Sequence, residues 1–157
     1  YYVGLRACEI ASLKVGDVVD GEGNIKDTVL LTKYMTKGNS ANSVYLSEFV
    51  KKEIKKYLES NTERLVTLKS PLIYSQRTGG HFSSQTLQIL FKTLYSNVGI
   101  NASSHSGRRK FITDLSEKGV SVRVIQELAR HRDLATTQRY IDVSVDKLRN
   151  AVNLVGL

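Results

Sequence analysis

One proline, Pro71, interrupts a chain of 157 residues. Proline removes a backbone donor and breaks helices, so its scarcity leaves room for helices on either side. The second half of the chain uses that freedom. "SSQTLQILFKTLYSNVG" predicts a helix with Ser83 or Ser84 as N-cap, Leu87, Leu90, Phe91 and Leu94 inward, and Gly99 beyond its end. "SSHSGRRKFITDLSEKG" predicts another, with Phe111, Ile112 and Leu115 on one face and Gly119 as terminator. "SVRVIQELARH" follows, capped by Ser121 with Val124, Ile125 and Leu128 inward, and "DLATTQRYID" reads as a short helix capped by Asp133. The tail "SVDKLRNAVNLV" is also helix-like.

The first half is mixed. "GLRACEIASLKVGDV" predicts a helix stopped by Gly16, with Leu5, Cys8, Ile10 and Leu13 apolar. Val29, Leu30 and Leu31 form a strand-like run, and "SVYL" forms a second. The polar, turn-rich "TKGNSAN" between them predicts a β-hairpin, and a short strand near Val18 and Val19 would make the sheet three-stranded. "SEFVKKEIKKYLES" is amphipathic, with Val50, Ile54, Tyr57 and Leu58 on one face and a solvated row of lysines opposite. "PLIYS" reads as a short extended piece. The expected fold is α+β, mainly α, with one small antiparallel sheet, in a single domain over residues 1–157.

Lys and Arg total 23 against 15 Asp and Glu, a net charge of +8. That excess suits a polyanionic partner, nucleic acid first, although many basic proteins carry such charge only for solubility. One cysteine, Cys8, allows no internal disulfide and is most simply a small buried hydrophobe. A cytoplasmic location is the expectation, and no apolar run has the length of a membrane span. The chain opens inside a helix-like pattern, so a fragment of a longer protein is expected.

Six polar residues of reactive types stand out in chain order: Arg6, Lys37, His105, Arg108, His131 and Tyr140. His105 and Arg108 are three apart at a helix start and share a face. A guanidinium fork can hold a phosphate bidentately. Two arginines and hydrogen-bonding histidines can neutralise a phosphodiester as phosphorus becomes five-coordinate, without a metal. Tyr140 can act as nucleophile, and a hairpin-tip lysine can protonate the leaving oxygen. No Cys/His spacing or carboxylate cluster points to a catalytic metal. Each residue also has a plainer use. A tyrosine in an amphipathic helix commonly packs, Arg6 can pair with Glu9 on the next turn, and Lys37 can be an ordinary turn lysine.

Three stretches together resemble the catalytic domain of the tyrosine recombinases, also called phage integrases. "GLRACEIASLKVGDV" resembles that family's first arginine box. "TKGNSANSVYL" resembles the hairpin that carries its lysine. "HSGRRKFITDLSEKGVSVRVIQELARHRDLATTQRYIDVS" resembles the second box, His-x-x-Arg followed by a second histidine, Thr-Thr and Tyr. The match runs from about Tyr2 to Ser144.

The resemblance implies a site-specific recombinase that cuts and rejoins double-stranded DNA through a 3′-phosphotyrosyl link, with no ATP, metal or other cofactor. Arg6 and Arg108 would clamp the scissile phosphate. His105 and His131 would hydrogen-bond it or aid proton transfer, Tyr140 would attack, and Lys37 would be the general acid. Glu9 matches the acidic position that supports the first arginine. Arg109, Lys110, Arg130 and Arg132 are candidate DNA contacts. A tetramer on DNA is implied, with the C-terminal tail docking on a neighbour, while the chain alone is expected to be monomeric. The family's N-terminal core-binding domain is absent from these residues.

The sequence departs from the family pattern in places. Arg130 stands where glycine is frequent before the second histidine, Ser40 where a basic residue is frequent, and Tyr45 where proline is common. Lys33 therefore stays open beside Lys37 as the lysine. Two other functions are kept in view: a type IB topoisomerase-like enzyme that nicks and reseals, and a non-catalytic DNA-binding domain with "SVRVIQELARHRD" as recognition helix.

Overall fold

The computed structural model describes residues 1–157 apart from Lys37, Asn39, Leu65, Val66, Asp142, Ser144 and Leu157. Its elements are α1 (Ala7–Ser12), α2 (Val15–Val18), β1 (Thr28–Leu31), β2 (Asn42–Tyr45), α3 (Glu48–Glu59), α4 (Ser84–Asn97), α5 (Ser104–Glu117), α6 (Val122–Ala129), α7 (Leu134–Gln138) and α8 (Val145–Asn153), then a 3-10 turn, Leu154–Gly156. The expected α+β, mainly helical class is what forms. By its internal contacts the chain divides into two compact units, Tyr1–Phe111 and Ile112–Leu157, the division falling inside α5. Among the described residues no helix is long and apolar enough to cross a membrane.

The first unit is built on a hairpin. β1 and β2 pair antiparallel, with Val29 opposite Val44 and Leu31 opposite Asn42. Side chains alternate across a strand, so Val29, Leu31 and Val44 point to one face and are buried while Leu30 and Tyr45 are exposed. Leu13, Val18, Met35 and Leu72 complete that core, and Ile54, Tyr57 and Leu58 of α3 pack on it. α3 has this face because its apolar residues recur at helical spacing and Ser47 caps it, accepting from the Val50 N–H. The Tyr57 hydroxyl keeps its polar end satisfied by donating to the Leu72 carbonyl at 3.0 Å.

Among the described residues the sheet has two strands, not the expected three. Val18 ends α2, and Val19 makes only a single antiparallel bridge to Ile25. The intervening chain is committed to a tight turn. The Asp20 carboxylate accepts from the Glu22 and Asn24 N–H groups and leaves no length for a ladder.

The single helix expected over residues 4–18 is also two. Leu13 and Lys14 are extended, because Leu13 accepts from the Leu72 N–H and Val15 donates to Ser70. Those bonds, with the Lys14–Pro71 bridge, dock the "PLIYS" segment. Gly16 lies inside α2 rather than ending a helix. A Cβ there would come within 2.9 Å of the Leu68 carbonyl oxygen, so its role is close approach.

α4 begins at Ser83, whose hydroxyl accepts from the Thr86 N–H. Leu87 is buried as expected, but Leu90 and Leu94 are exposed. In the second unit Ser121 caps α6 and Asp133 caps α7, both as the sequence indicates. Ile125 and Ala129 of α6 are buried, whereas Val124, expected inward, is exposed. Adjacent positions on a helix differ by about 100°, so Val124 and Ile125 cannot share one narrow stripe.

Neighbouring leucines in β1 test this arrangement directly. Leu31→Ala should lower unfolding free energy by about 2–5 kcal/mol in urea denaturation, as for a fully buried leucine. Leu30→Ala, on the other face of the same strand, should change it by about 0.5 kcal/mol or less.

Candidate active site

Arg6 is the residue immediately before α1, where the first N–H groups of a helix lack partners. Glu9, three residues on, reaches back to fill that need. One carboxylate oxygen accepts from the Arg6 backbone N–H at 2.8 Å, and the other accepts from the Arg6 guanidinium at 2.7 Å. Glu9 is fully buried. Burying a carboxylate is costly unless it is paired and hydrogen-bonded, so the two bonds are a condition of its placement. The arginine keeps a quarter of its side chain exposed. The plainer use of Arg6, pairing with Glu9, is therefore real, and it also fixes where the guanidinium points.

Arg108 lies on α5 and is itself buried. Its guanidinium donates to the carbonyl of Gly4, two residues before Arg6. Gly4 has φ +56°, in the left-handed region, and a Cβ there would lie 2.5 Å from the Phe111 ring. Both arginines are thus tethered to one short segment, residues 4–9. His105, exposed and one turn before Arg108, is set at the start of α5. Ser103 shapes that start, its hydroxyl accepting from the His105 N–H at 3.3 Å. Arg109 and Lys110 are exposed on the same helix.

Arg6 and His105 line a cavity of about 400 Å³ with Cys8, Tyr34, Met35, Thr36, Ser84 and Gln88. Cys8 is half-buried at this wall rather than a core residue. The hairpin tip reaches the cavity through Thr36, whose hydroxyl closes the tip by donating to the Ser40 carbonyl at 2.8 Å. Lys37 is next in sequence and lies outside the described residues. Lys33, the alternative lysine, sits 5.0 Å from the centre of the Tyr34 ring, and Tyr34 is itself 85% exposed.

His131 and Tyr140 belong to the second unit. α6 ends in a Schellman motif: Arg130 N–H donates to Glu127 O at 3.0 Å and His131 N–H to Gln126 O at 3.1 Å. Arg130 adopts φ +55°, the one positive φ outside glycine among the described residues. This explains why glycine is natural here. The Arg130 guanidinium donates to the Leu128 carbonyl at 2.9 Å, within the last turn of α6. Gln126, buried, donates from its side-chain amide to the His131 carbonyl at 3.1 Å. Tyr140 is the second residue after α7, its N–H donating to Thr137 O. The His131 and Tyr140 rings stack with centroids 6.1 Å apart and an interplanar angle of 25°. Arg132, beside them in sequence, is exposed.

The structure therefore gathers Arg6, Glu9, His105 and Arg108 within one unit and His131 with Tyr140 within the other. Sequence reasoning missed Gly4, Gln126 and Thr137. Gly4 acts through its carbonyl, which no side-chain pattern reports. Gln126 and Thr137 are buried polar residues on helices, and a polar residue on an inward face was the available signal. Among the described residues no group of three His, Cys, Asp or Glu side chains is placed to hold a metal ion.

A sequence profile described as the phage integrase family matches residues 1–147. Tyrosine recombinase XerA of Pyrococcus horikoshii is 32% identical over 160 residues, spanning 100% of this chain and 52% of that protein. Tyrosine recombinase XerD of Rickettsia prowazekii is 32% identical, spanning 97% and 51%. The chain thus spans about half the length of the curated relatives it matches. A crystal structure of XerA recombinase superposes with a TM-score of 0.74 at 27% identity, over 98% of this chain and 54% of that one. A XerH site-specific recombinase in a post-cleavage complex with its difH substrate shares the fold, with a TM-score of 0.72 at 24% identity, over 99% and 43%.

Two substitutions probe the anchored arginines. Arg6→Ala takes the guanidinium away from the buried Glu9 carboxylate and should lower unfolding free energy by about 1–3 kcal/mol in urea titrations. Gly4→Ala forces an L side chain into a left-handed backbone against Phe111 and should cost about 1–3 kcal/mol by the same measurement.

Proposed function

The chain belongs to the phage integrase family, and from that premise we propose that residues 1–157 act as the catalytic domain of a tyrosine-type site-specific DNA recombinase. The observation that carries the proposal is the double tether on residues 4–9. Glu9 holds one guanidinium and the Gly4 carbonyl holds another. Two guanidinium forks, Arg6 within this segment and Arg108 tied to it from α5, suit a single phosphodiester, whose two non-bridging oxygens gain charge as phosphorus becomes five-coordinate.

In this reading the Tyr140 hydroxyl oxygen attacks phosphorus. A 3′-phosphotyrosyl bond forms as the bond to the 5′ oxygen breaks; the phenolic proton passes to solvent water, and Lys37 supplies the proton the 5′ oxygen takes. Arg6 and Arg108 balance the developing charge, and His105 and His131 hydrogen-bond the phosphate. Glu9 positions Arg6. The phosphotyrosyl link conserves the ester bond, so a 5′ hydroxyl from another strand can reverse the step without ATP. No cofactor or metal is required.

The relatives XerA and XerD are tyrosine recombinases, which supports strand exchange over topoisomerase-like resealing alone. A purely DNA-binding domain has no use for a buried carboxylate that aims an arginine into a cavity. The partner in this proposal is double-stranded DNA. Arg109, Lys110, Arg130 and Arg132 contact its backbone, and binding weakens with salt. The working assembly on DNA is a tetramer, while the chain alone is a monomer. Val145, Leu148 and Val152 of α8 are exposed, which supports a tail that docks on a neighbouring subunit. The cytoplasm, where the DNA is, is the proposed location.

A nicked suicide duplex carrying the recombination site tests the proposal on a denaturing gel. The chain should form a covalent DNA adduct, and Tyr140→Phe should abolish it; an adduct that survives Tyr140→Phe overturns the nucleophile. Arg6→Ala and Arg108→Ala should each slow adduct formation by about 10²–10³-fold. Lys37→Ala should be rescued by a 5′ leaving group of low pKa, and no rescue argues against its acid role.

A further inference from the structure

Two threonines adjoin in α7, and they fare differently: Thr136 is half-buried while Thr137 is fully buried. A threonine hydroxyl carries one hydrogen to donate and lone pairs to accept with. A buried hydrogen-bond donor needs an acceptor, whereas an oxygen with a spare lone pair is tolerated far better. Among the described residues the acceptor within reach of the Thr137 hydroxyl is Nδ1 of His131, at 2.9 Å.

That contact can be made in two ways. If Nδ1 carried the imidazole hydrogen and donated to Thr137, the hydroxyl hydrogen would be sealed in the interior facing no acceptor. If the hydroxyl donates to Nδ1, both groups are satisfied. The second arrangement places the hydrogen of the neutral ring on Nε2, since the bond made by one ring nitrogen sets the state of the other.

We propose that Thr137 is a positioning residue that holds His131 in its Nε2–H tautomer, making His131 a hydrogen-bond donor to DNA phosphate rather than a proton acceptor. The phosphate part rests on the recombinase reading above; the tautomer does not. The surroundings supply the rigidity this needs. The backbone of His131 is held on both sides, its N–H by the Gln126 carbonyl and its carbonyl by the Gln126 side-chain amide. Gln126 is fixed in turn by Arg123, which donates to its side-chain oxygen at 2.9 Å. The ring lies against Tyr140. With position fixed by backbone and stacking, the hydroxyl of Thr137 decides which ring edge offers a hydrogen. An Nε2–H can support a charged non-bridging oxygen, but it has no lone pair with which to take the phenolic hydrogen of Tyr140.

The test is nitrogen NMR on the chain with ¹⁵N-labelled histidine, above the pH at which the imidazoles are neutral. His131 is identified by the signals lost in His131→Gln. The wild-type chain should show Nδ1 in the unprotonated range and Nε2 in the protonated range. Thr137→Val keeps the shape but removes the hydroxyl; it should give a mixture of tautomers and slow phosphotyrosyl formation by about tenfold. Thr137→Ser should restore both the single tautomer and the rate.

A wild-type hydrogen on Nδ1 overturns the proposal, as does a folded Thr137→Val chain with unchanged spectrum and rate. Should Thr137→Val fail to fold, the wild-type and Thr137→Ser spectra decide the matter alone. A wild-type Nε2–H in a chain that forms no DNA adduct would remove the recombinase reading and leave the tautomer assignment standing.

Discussion

A carboxylate with no access to water organises the first unit. Glu9 is tolerated inside because it is paired, meeting a backbone N–H and a guanidinium at once. The first bond starts α1; the second aims Arg6. Folding and the candidate site are therefore joined in one side chain, since the geometry that satisfies the helix start also sets the charge at the cavity wall. The Gly4 carbonyl repeats the logic for Arg108 with a neutral acceptor. Neither arginine depends on a mobile side chain for its direction, which is the preorganisation that charge stabilisation in a reaction requires.

The second unit reaches the same end by different means. Its candidate site residues follow helix termini: His131 leaves α6 through a Schellman turn and Tyr140 leaves α7. Helix ends fix direction through backbone bonds, so a side chain placed there inherits the rigidity of the helix. The caps that start these helices, Ser121 and Asp133, contribute to that precision at a distance.

Much of this was legible in the sequence because it is local. Ser83, Ser121 and Asp133 announce their helices by side chains that satisfy nearby N–H groups, and Gly99 and Gly119 end theirs in left-handed backbone. The alternation in β1 is equally local. The errors at α1 and α2 come from partners distant in sequence, whereas the missing third strand follows from the local Asp20 turn. α1 and α2 separate because Leu13 and Val15 pair with residues 70–72, some sixty positions on. Gly16 looked like a helix stop but serves the approach of Leu68. In the site, Arg6 and Glu9 were legible at i and i+3, and the order of His105, Arg108, His131 and Tyr140 carried the family likeness. The roles of Gly4 and Thr137 were not legible, although both stand in the stretches that carry the likeness: one acts through its carbonyl on distant Arg108, the other through a hydroxyl that the turn between α6 and α7 brings to His131.

The left-handed twist at Arg130 has a consequence for how that position can vary. Glycine would relieve the twist, but it would also enlarge the set of conformations open to the unfolded chain. The two effects oppose one another and are each about 1 kcal/mol. With these backbone effects nearly cancelling, what separates arginine from glycine at the end of α6 is the side chain, whose guanidinium bonds the Leu128 carbonyl. The turn that presents the His131 ring is made by backbone bonds, so a change of side chain at Arg130 retunes the local field beside the ring while the turn stays the same.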